Sequence, residues 1–439
     1  MLHDLQRQIA IFPLDSVSVK GIKYRMLNWS KQFSILVFLD NNSYSSVYPG
    51  YECLLAAGSV KHINTDSSDE LGELYNLHNN NKDWVFGHFC YEYKDRIESK
   101  LHSKQIGKVG FPLVDFFIPE TVCYINRDKT QLTIESFKDP ASIYNDIMHC
   151  HDNVQVSLPE ISFQHTVDKE TYLKIIEKIR HHIFDGDFYE LNFCCEGFAN
   201  YLGLEPLAIF CALNTISPAP FACYYKTGDK YMMCASPERY VSGVGNKVFS
   251  QPIKGTAPRS SDLVIDLRNK EELYKNIKER AENVMIVDLV RNDLARCCET
   301  GSIHVDELFG IYSFPQVHQM ISTISGIRRS DLPFTDVFKS TFPMGSMTGA
   351  PKFKVMQIIE DIELSRRELF SGTIGYIAPS GDFDFNVVIR SLFYNASTGY
   401  LSYKTGGAIT YDSIAENEWE EMRLKAWAME RIFKTESNK

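Results

Sequence analysis

The feature that most constrains the fold is a hydrophobic period that keeps switching after residue 165, without a regular strand–helix–strand rhythm. Tyr172, Ile175, Ile176, Ile179 and Ile183 share one helical face behind Asp168, a good N-cap. Asp185-Gly186 ends that helix, with glycine at the C′ position. Residues 230–254 instead alternate with period two around Gly243-Val244-Gly245-Asn246, which predicts a hairpin. A charged helical stretch covers roughly 263–297, and Ser413 with Glu416 spells a capping box that predicts the start of the last helix. This mixture predicts an α+β protein rather than a doubly wound sheet. Nothing repeats at a fixed period, so solenoids and propellers are excluded.

The first 160 residues read less sharply. Phe33–Leu39 and Trp84–Tyr93 are β-rich runs among polar stretches such as Asn79-Asn80-Asn81. The polar region 126–165 carries Pro140 and Pro159, which places a subdomain boundary near 160. A chain of 439 residues allows two or three domains. Lys and Arg number 46 against 56 Asp and Glu, with no basic block, which argues against nucleic acid or an anionic membrane as partner. An anionic substrate has to be met locally, by a few cations, backbone N–H groups or a metal. The eleven cysteines show no C-x-x-C spacing and read as reduced, mostly buried thiols in a cytoplasmic protein. MLHDLQRQIAIF lacks the parts of a secretory leader, and no apolar run approaches the roughly 18 residues of a spanning helix. A soluble intracellular protein is expected.

Several constellations can carry chemistry. Glu418, Glu421 and Lys425 share a face of the last helix, a spacing that suits a hard oxygen-ligated cation or a solvated Glu421–Lys425 pair. Glu282 abuts the apolar run Val284–Val287, with Asp288, Arg291 and Asp293 beyond it. It reads either as a further cation ligand or as part of an ordinary helix end. In SPERYVSGVGNKVFSQPIKGTAPR, a three-residue loop at 245–247 sets Glu238 opposite Lys254 on one face, whereas a two-residue loop separates them. The first register allows an acid to tune an amine, and desolvation would make Lys254 a nucleophile; a simple salt bridge fits as well. FPMGSMTGAPKFKVMQIIEDI runs a Gly-rich loop into Pro351 at a helix's first turn, a tight turn or an anion cradle. Arg390 is a candidate cation for a substrate carboxylate, and Gly406-Gly407 permits close backbone approach. His149-Cys150-His151-Asp152 lacks a second ligand pair and is not expected to bind metal.

Taken in order, SPERY, PIKGTAPR, ENVMIVDLVRNDLAR, FPMGSMTGAPK, GTIGY, VVIRS and the final Glu-x-x-Glu helix resemble the chorismate-utilising enzymes over about 165–439. FLDNNSY and YECLLAAG extend the likeness more loosely into the first 160 residues. Within the family, PIKGT is similar to the aminodeoxychorismate synthase component I branch; anthranilate synthase large subunits usually have Ala where Lys254 stands. The resemblance implies two β-sheets packed as a sandwich with helices outside. It also implies that an N-terminal subdomain, 1–160, is interwoven with a chorismate-binding region, 161–439.

What the resemblance implies for the site is specific. Lys254 matches the nucleophile that attacks C2 of chorismate, and Glu238 the acid that protonates the departing C4 hydroxyl. Glu282 and Glu421, with Glu418 nearby, match Mg²⁺ ligands. Gly255, Thr256, Tyr376, Arg390, Gly406, Gly407 and Lys425 match positions around the substrate. Ammonia from a glutamine amidotransferase subunit then adds at C4, giving 4-amino-4-deoxychorismate for 4-aminobenzoate and folate synthesis. Two positions depart from the family pattern: Gln319, preceded by His318, stands where relatives have His, and Ala408 where they have Gly. No tryptophan-binding motif is evident, so control by tryptophan is not expected. Anthranilate synthase, isochorismate or salicylate synthase, and a non-catalytic chorismate-binding protein remain as alternatives. The last has no need of a nucleophile paired with an acid.

Overall fold

Alternation along the strands sends neighbouring residues to different cores. Ile35 and Val37 face one core and Leu36 and Phe38 the other. The same split separates Cys223 and Tyr225 from Ala222 and Tyr224, and Met232 and Cys234 from Met233 and Ala235. A sheet built from such strands is buried on both faces. In this computed structural model, which describes residues 6–14, 18–44, 50–64, 68–314 and 317–434, they belong to a twelve-stranded antiparallel sheet. The first five residues of the N-terminal stretch, and Pro315 and Gln316, lie outside the described residues.

From one edge, the large sheet runs Gln8–Pro13, Gln131–Ser136, Thr121–Asn126, Tyr51–Ala57, Ile35–Asp40 and Phe221–Thr227. It continues through Lys230–Ser236, Ser391–Asn395, Tyr400–Ile409, Glu190–Asn200 and Gly349–Ala350, with Gln164–His165 added beside Glu190–Asn200. A ten-stranded sheet begins Ile253–Pro258, Val317–Ile327, Lys247–Gln251, Arg239–Val244 and Phe383–Asn386. It ends Thr373–Ile377, Val85–Phe89, Val114–Ile118 and Lys61–Asn64, with His304–Ser313 beside Val317–Ile327. Strands from either side of residue 160 stand side by side in both sheets.

The sheets face each other across a core that joins Val37, Tyr225 and Met232 to Phe86, Phe116, Val241 and Phe385. The outer face of the large sheet is covered by helices Val19–Ser30, Pro140–His149 and Pro206–Ile216 and by the end of Ala415–Arg431. This is the expected α+β sandwich with helices outside. A third core sets helices Lys169–Phe184 and Lys352–Ile362 against Leu191 and Phe193. Among the described residues, no helix is long and apolar enough to cross a membrane.

Local expectations fared unevenly. The helix at Lys169–Phe184 starts where Asp168 accepts from the Thr171 N–H at 2.8 Å, and it ends before Gly186 at φ 82°. The stretch 263–297 is two helices, Leu263–Lys275 and Ile277–Ala295. Asn276 closes the first and caps the second by accepting from the Glu279 N–H at 3.1 Å. The hairpin loop is two residues, since Val244 pairs with Lys247, not the three that would set Glu238 opposite Lys254. The capping box does not form. Ser413 Oγ accepts from the Thr410 N–H at 3.1 Å instead, and Ile414 stands at the N-cap of Ala415–Arg431. Pro351 is the N-cap of Lys352–Ile362 rather than a residue of its first turn.

Candidate active site

The two sheets meet in a junction where Ile253–Pro258 of the small one reaches Glu190–Asn200 of the large one, with helix Ile277–Ala295 packed on Ile253–Pro258 and helix Ala415–Arg431 on Tyr400–Ile409. Lys254 is buried in it, and its Nζ donates to Glu190 Oε1 at 2.5 Å. Burial works against charge on Lys254, but Glu190, Glu282 and Glu238 outweigh it and hold the amine above its ordinary pKa. Desolvation alone therefore does not neutralise Lys254, contrary to the sequence-based expectation. The amine rests as an ammonium inside an anionic shell.

Glu238 comes near Lys254 by a route the hairpin argument did not contain. A bulge between Arg239 and Ser242 shifts the register, and Ile253–Pro258 leaves the hairpin to pair with Val317–Ile327. The two side chains thus meet electrostatically without being cross-strand neighbours. Burial pushes Glu238 up to about 7, opposed by the facing Ser346 hydroxyl and by Lys254. A carboxyl poised there exchanges a proton readily near neutrality.

The opposite wall carries the acidic groups. Burial likewise raises Glu282 to about 7, with Lys254 pulling the other way and Glu190 adding to the rise. Glu279, one helical turn before it, is also raised by burial. Glu418 is raised by burial too, and Ser413 opposes the shift. Glu421 is lowered, chiefly by Lys425, whose Nζ lies 2.7 Å away. Lys278 sits 3.7 Å from Glu282 and senses Glu418, Glu279 and Glu421 as well. Two lysines thus balance a ring of carboxylates.

Gly407 shows how closely the last helix's side chains approach the neighbouring strand. A Cβ there would lie 3.3 Å from Glu418 Oε2, 3.7 Å from Lys425 Nζ and 3.8 Å from Glu421 Oε1. The backbone has given that space to the side chains. Lys425 also donates to the Gly406 carbonyl at 2.8 Å. Oxygen-only donors of this kind suit a hard divalent cation, although among the described residues no three are gathered at ligating distance. Glu282, Glu418 and Glu421 suit such an ion by the chemistry of their donors.

The remaining candidates divide. The Arg390 guanidinium has no hydrogen-bond or ion-pair partner among the described residues; burial lowers its pKa and Glu421 opposes the shift. Gly255, at φ 91°, brings the backbone under Glu279, and Thr256 is exposed on the edge strand opposite Gln319. Tyr376 is a correction. It lines a separate cavity of about 70 Å³ with Asp40, Tyr51, Arg239 and Asp384, because Thr373–Ile377 lies toward the other end of the small sheet. His318 is held by Ser313 at 2.8 Å and Asp266 at 3.1 Å, on the strand beyond Lys254.

Sequence reasoning missed Glu190 and Glu279. Glu279 precedes Glu282 by three residues, so the helical spacing applied to Glu418 and Glu421 finds it. Glu190 opens the mostly apolar run Leu191–Cys195, broken only by Asn192, as a charged residue at a buried strand position.

Residues 37–431 match the profile of a family described as chorismate binding enzyme. An aminodeoxychorismate synthase of Streptomyces pristinaespiralis is 38% identical over 274 residues, covering 62% of this chain and 37% of the relative. Aminodeoxychorismate synthase component 1 of Klebsiella aerogenes is 32% identical over 338 residues, covering 77% of this chain and 74% of the relative. The chain thus spans little more than a third of the first relative's length. Among solved structures, anthranilate synthase component I from Streptococcus pneumoniae superposes with a TM-score of 0.77 at 24% identity, covering 88% of this chain and 94% of that one. That likeness concerns the fold.

Proposed function

Because the chain belongs to the chorismate binding enzyme family, we propose that it aminates chorismate at C4, giving 4-amino-4-deoxychorismate for 4-aminobenzoate and folate synthesis. The observation that carries the reading is Lys254, buried with Glu190 at 2.5 Å and with Glu238 near. A merely binding protein has no use for a buried amine beside an acid poised at about 7.

The chemistry then divides among named groups. Lys254, once deprotonated, forms a bond from Nζ to C2 while the C4–O bond breaks. Glu238 gives its proton to the leaving hydroxyl, which departs as water. Ammonia adds at C4, the C2–N bond breaks, and Lys254 recovers a proton. Arg390, without a protein partner among the described residues, holds a substrate carboxylate, and the backbone at Gly406 and Gly407 borders the substrate beside the acidic wall. Glu282, Glu418 and Glu421 would hold Mg²⁺, whose charge would neutralise a carboxylate of the dianionic substrate.

Ammonia comes from a glutamine amidotransferase subunit in this reading, which the words "component 1" in the Klebsiella relative's name support. A cytoplasmic setting fits eleven cysteines that are all unpaired. Product analysis by mass spectrometry, with purified protein, chorismate, Mg²⁺ and excess ammonium, tests the activity. A 4-amino-4-deoxychorismate peak is expected, and anthranilate, isochorismate or salicylate in its place would overturn the reading.

A further inference from the structure

Lys254 is within the influence of three carboxylates but touches one. Its Nζ donates to Glu190 Oε1 at 2.5 Å, while Glu282 and Glu238 act on it only through space. A lysine has a flexible four-carbon stem, so where its amine rests depends on which anion holds it. Glu190 is itself firmly placed. It is 1% exposed, at the start of Glu190–Asn200, and its backbone is clamped by Gly349–Ala350. Gly349, at φ 146°, comes so close that a Cβ would meet the Glu190 carbonyl at 2.0 Å. Its second carboxylate oxygen is buried with no hydrogen-bond partner among the described residues.

We propose that Glu190 is the positioning residue for Lys254: it accepts the amine's hydrogen bond, fixes Nζ on the side of Glu190–Asn200 and keeps it from swinging to Glu282. This rests on Lys254 being the nucleophile. Glu190 acts through that amine and needs no contact with substrate. Without it, the strongest remaining attractions on Lys254 are Glu282 and Glu238, so the amine would settle on the acidic wall. A displacement of about 1 Å from attack geometry costs on the order of 10²-fold in rate.

Steady-state kinetics with chorismate, ammonium and Mg²⁺ test this in Glu190→Gln, Glu190→Asp and Glu190→Ala. Glutamine keeps an acceptor oxygen at the same reach, and its kcat should stay within about fivefold of the unaltered enzyme. Aspartate keeps the charge but withdraws it by one methylene, and alanine removes the acceptor. Both should lose about 100-fold in kcat with the KM for chorismate changed less than about threefold. Glu190→Asp that matches the unaltered enzyme, or Glu190→Gln that falls as far as alanine, overturns the proposal, since charge rather than placement would then matter. Should Glu190→Ala fail to fold, the aspartate and glutamine variants decide alone. Lys254→Ala, run alongside, separates the two ideas. Full turnover in Lys254→Ala overturns the nucleophile reading and this inference with it; turnover lost there but kept in Glu190→Ala overturns the inference alone.

Discussion

Glu238 and Arg239 are adjacent in the chain and serve two opposite kinds of site. The Arg239 fork is filled: Nε and Nη2 meet Asp384 at 2.8 and 2.9 Å, and a further N–H reaches Gln251. Phe221 and Phe249 cover its faces at 4.9 and 5.2 Å. Glu238, one residue earlier, faces an amine that already belongs to Glu190, and burial leaves its own carboxyl poised at about 7. The first arrangement satisfies every strong attraction within the protein. The second leaves charge for something else to complete. Buried charge marks a working site when its balance is unfinished, and structure when it is closed.

The sharpest way to break this contrast is to remove the unfinished side. Lys254→Ala should lower C4 amination by roughly 10⁴-fold or more, as removal of a covalent nucleophile does elsewhere. Chorismate binding, followed by calorimetry, should change less than about tenfold. Next comes the closed side. Asp384→Ala leaves the Arg239 guanidinium buried without its carboxylate and should cost about 3–5 kcal/mol in denaturant unfolding. Turnover per folded molecule should be nearly unchanged.

Smaller effects sharpen the contrast through pH. The Glu282 pKa rises from 4.5 to about 7 on folding, so between those values the folded protein holds more protons than the unfolded chain. Stability from this group is therefore lost as pH rises through that window. Glu282→Gln removes the penalty and should gain on the order of 1–2 kcal/mol at pH 8, read as a higher Tm without Mg²⁺, while abolishing activity. The smallest effect concerns the acid. With Glu238 at about 7, loss of its proton between pH 6.5 and 7.5 cuts the acid form about threefold, while the neutral form of the Lys254 amine, held above its ordinary pKa, grows about tenfold; kcat/KM at saturating Mg²⁺ should therefore rise only about threefold. A full tenfold rise would mean that another group supplies the proton.

Legibility in the sequence followed the range of the interactions. The helix at Lys169–Phe184 was readable to its caps, since period, Asp168 and Gly186 lie within one short stretch. The break at Asn276 was hidden because both flanking segments are charged and helical, and one side chain serves both ends. Glu418, Glu421, Lys425 and Glu282 could be marked as acidic and basic points on helices. Their meeting depends on packing between residues more than a hundred positions apart. The same limit misplaced Tyr376: GTIGY reads as a strand, but its neighbours, Val85–Phe89 and Phe383–Asn386, decide which cavity it lines. Glu190 escaped because its partner lies 64 residues away on the other sheet.

The interleaving of the two sheets bears on how the chain is made. Ile35–Asp40 pairs early with Tyr51–Ala57 but gains its second neighbour only at Phe221–Thr227, and Val85–Phe89 pairs with Val114–Ile118 but gains its second only at Thr373–Ile377. A ribosome has made about half of the 439 residues before the first of those open edges can be covered, and most of them before the second. Until then, strands bearing Val37, Phe38, Phe86 and Phe89 wait with open backbone edges, a hazard for aggregation that chaperones are suited to manage. Synthesis should therefore end in a late, concerted collapse rather than in domain-by-domain folding, and a fragment stopped at residue 160 should not reach a native fold.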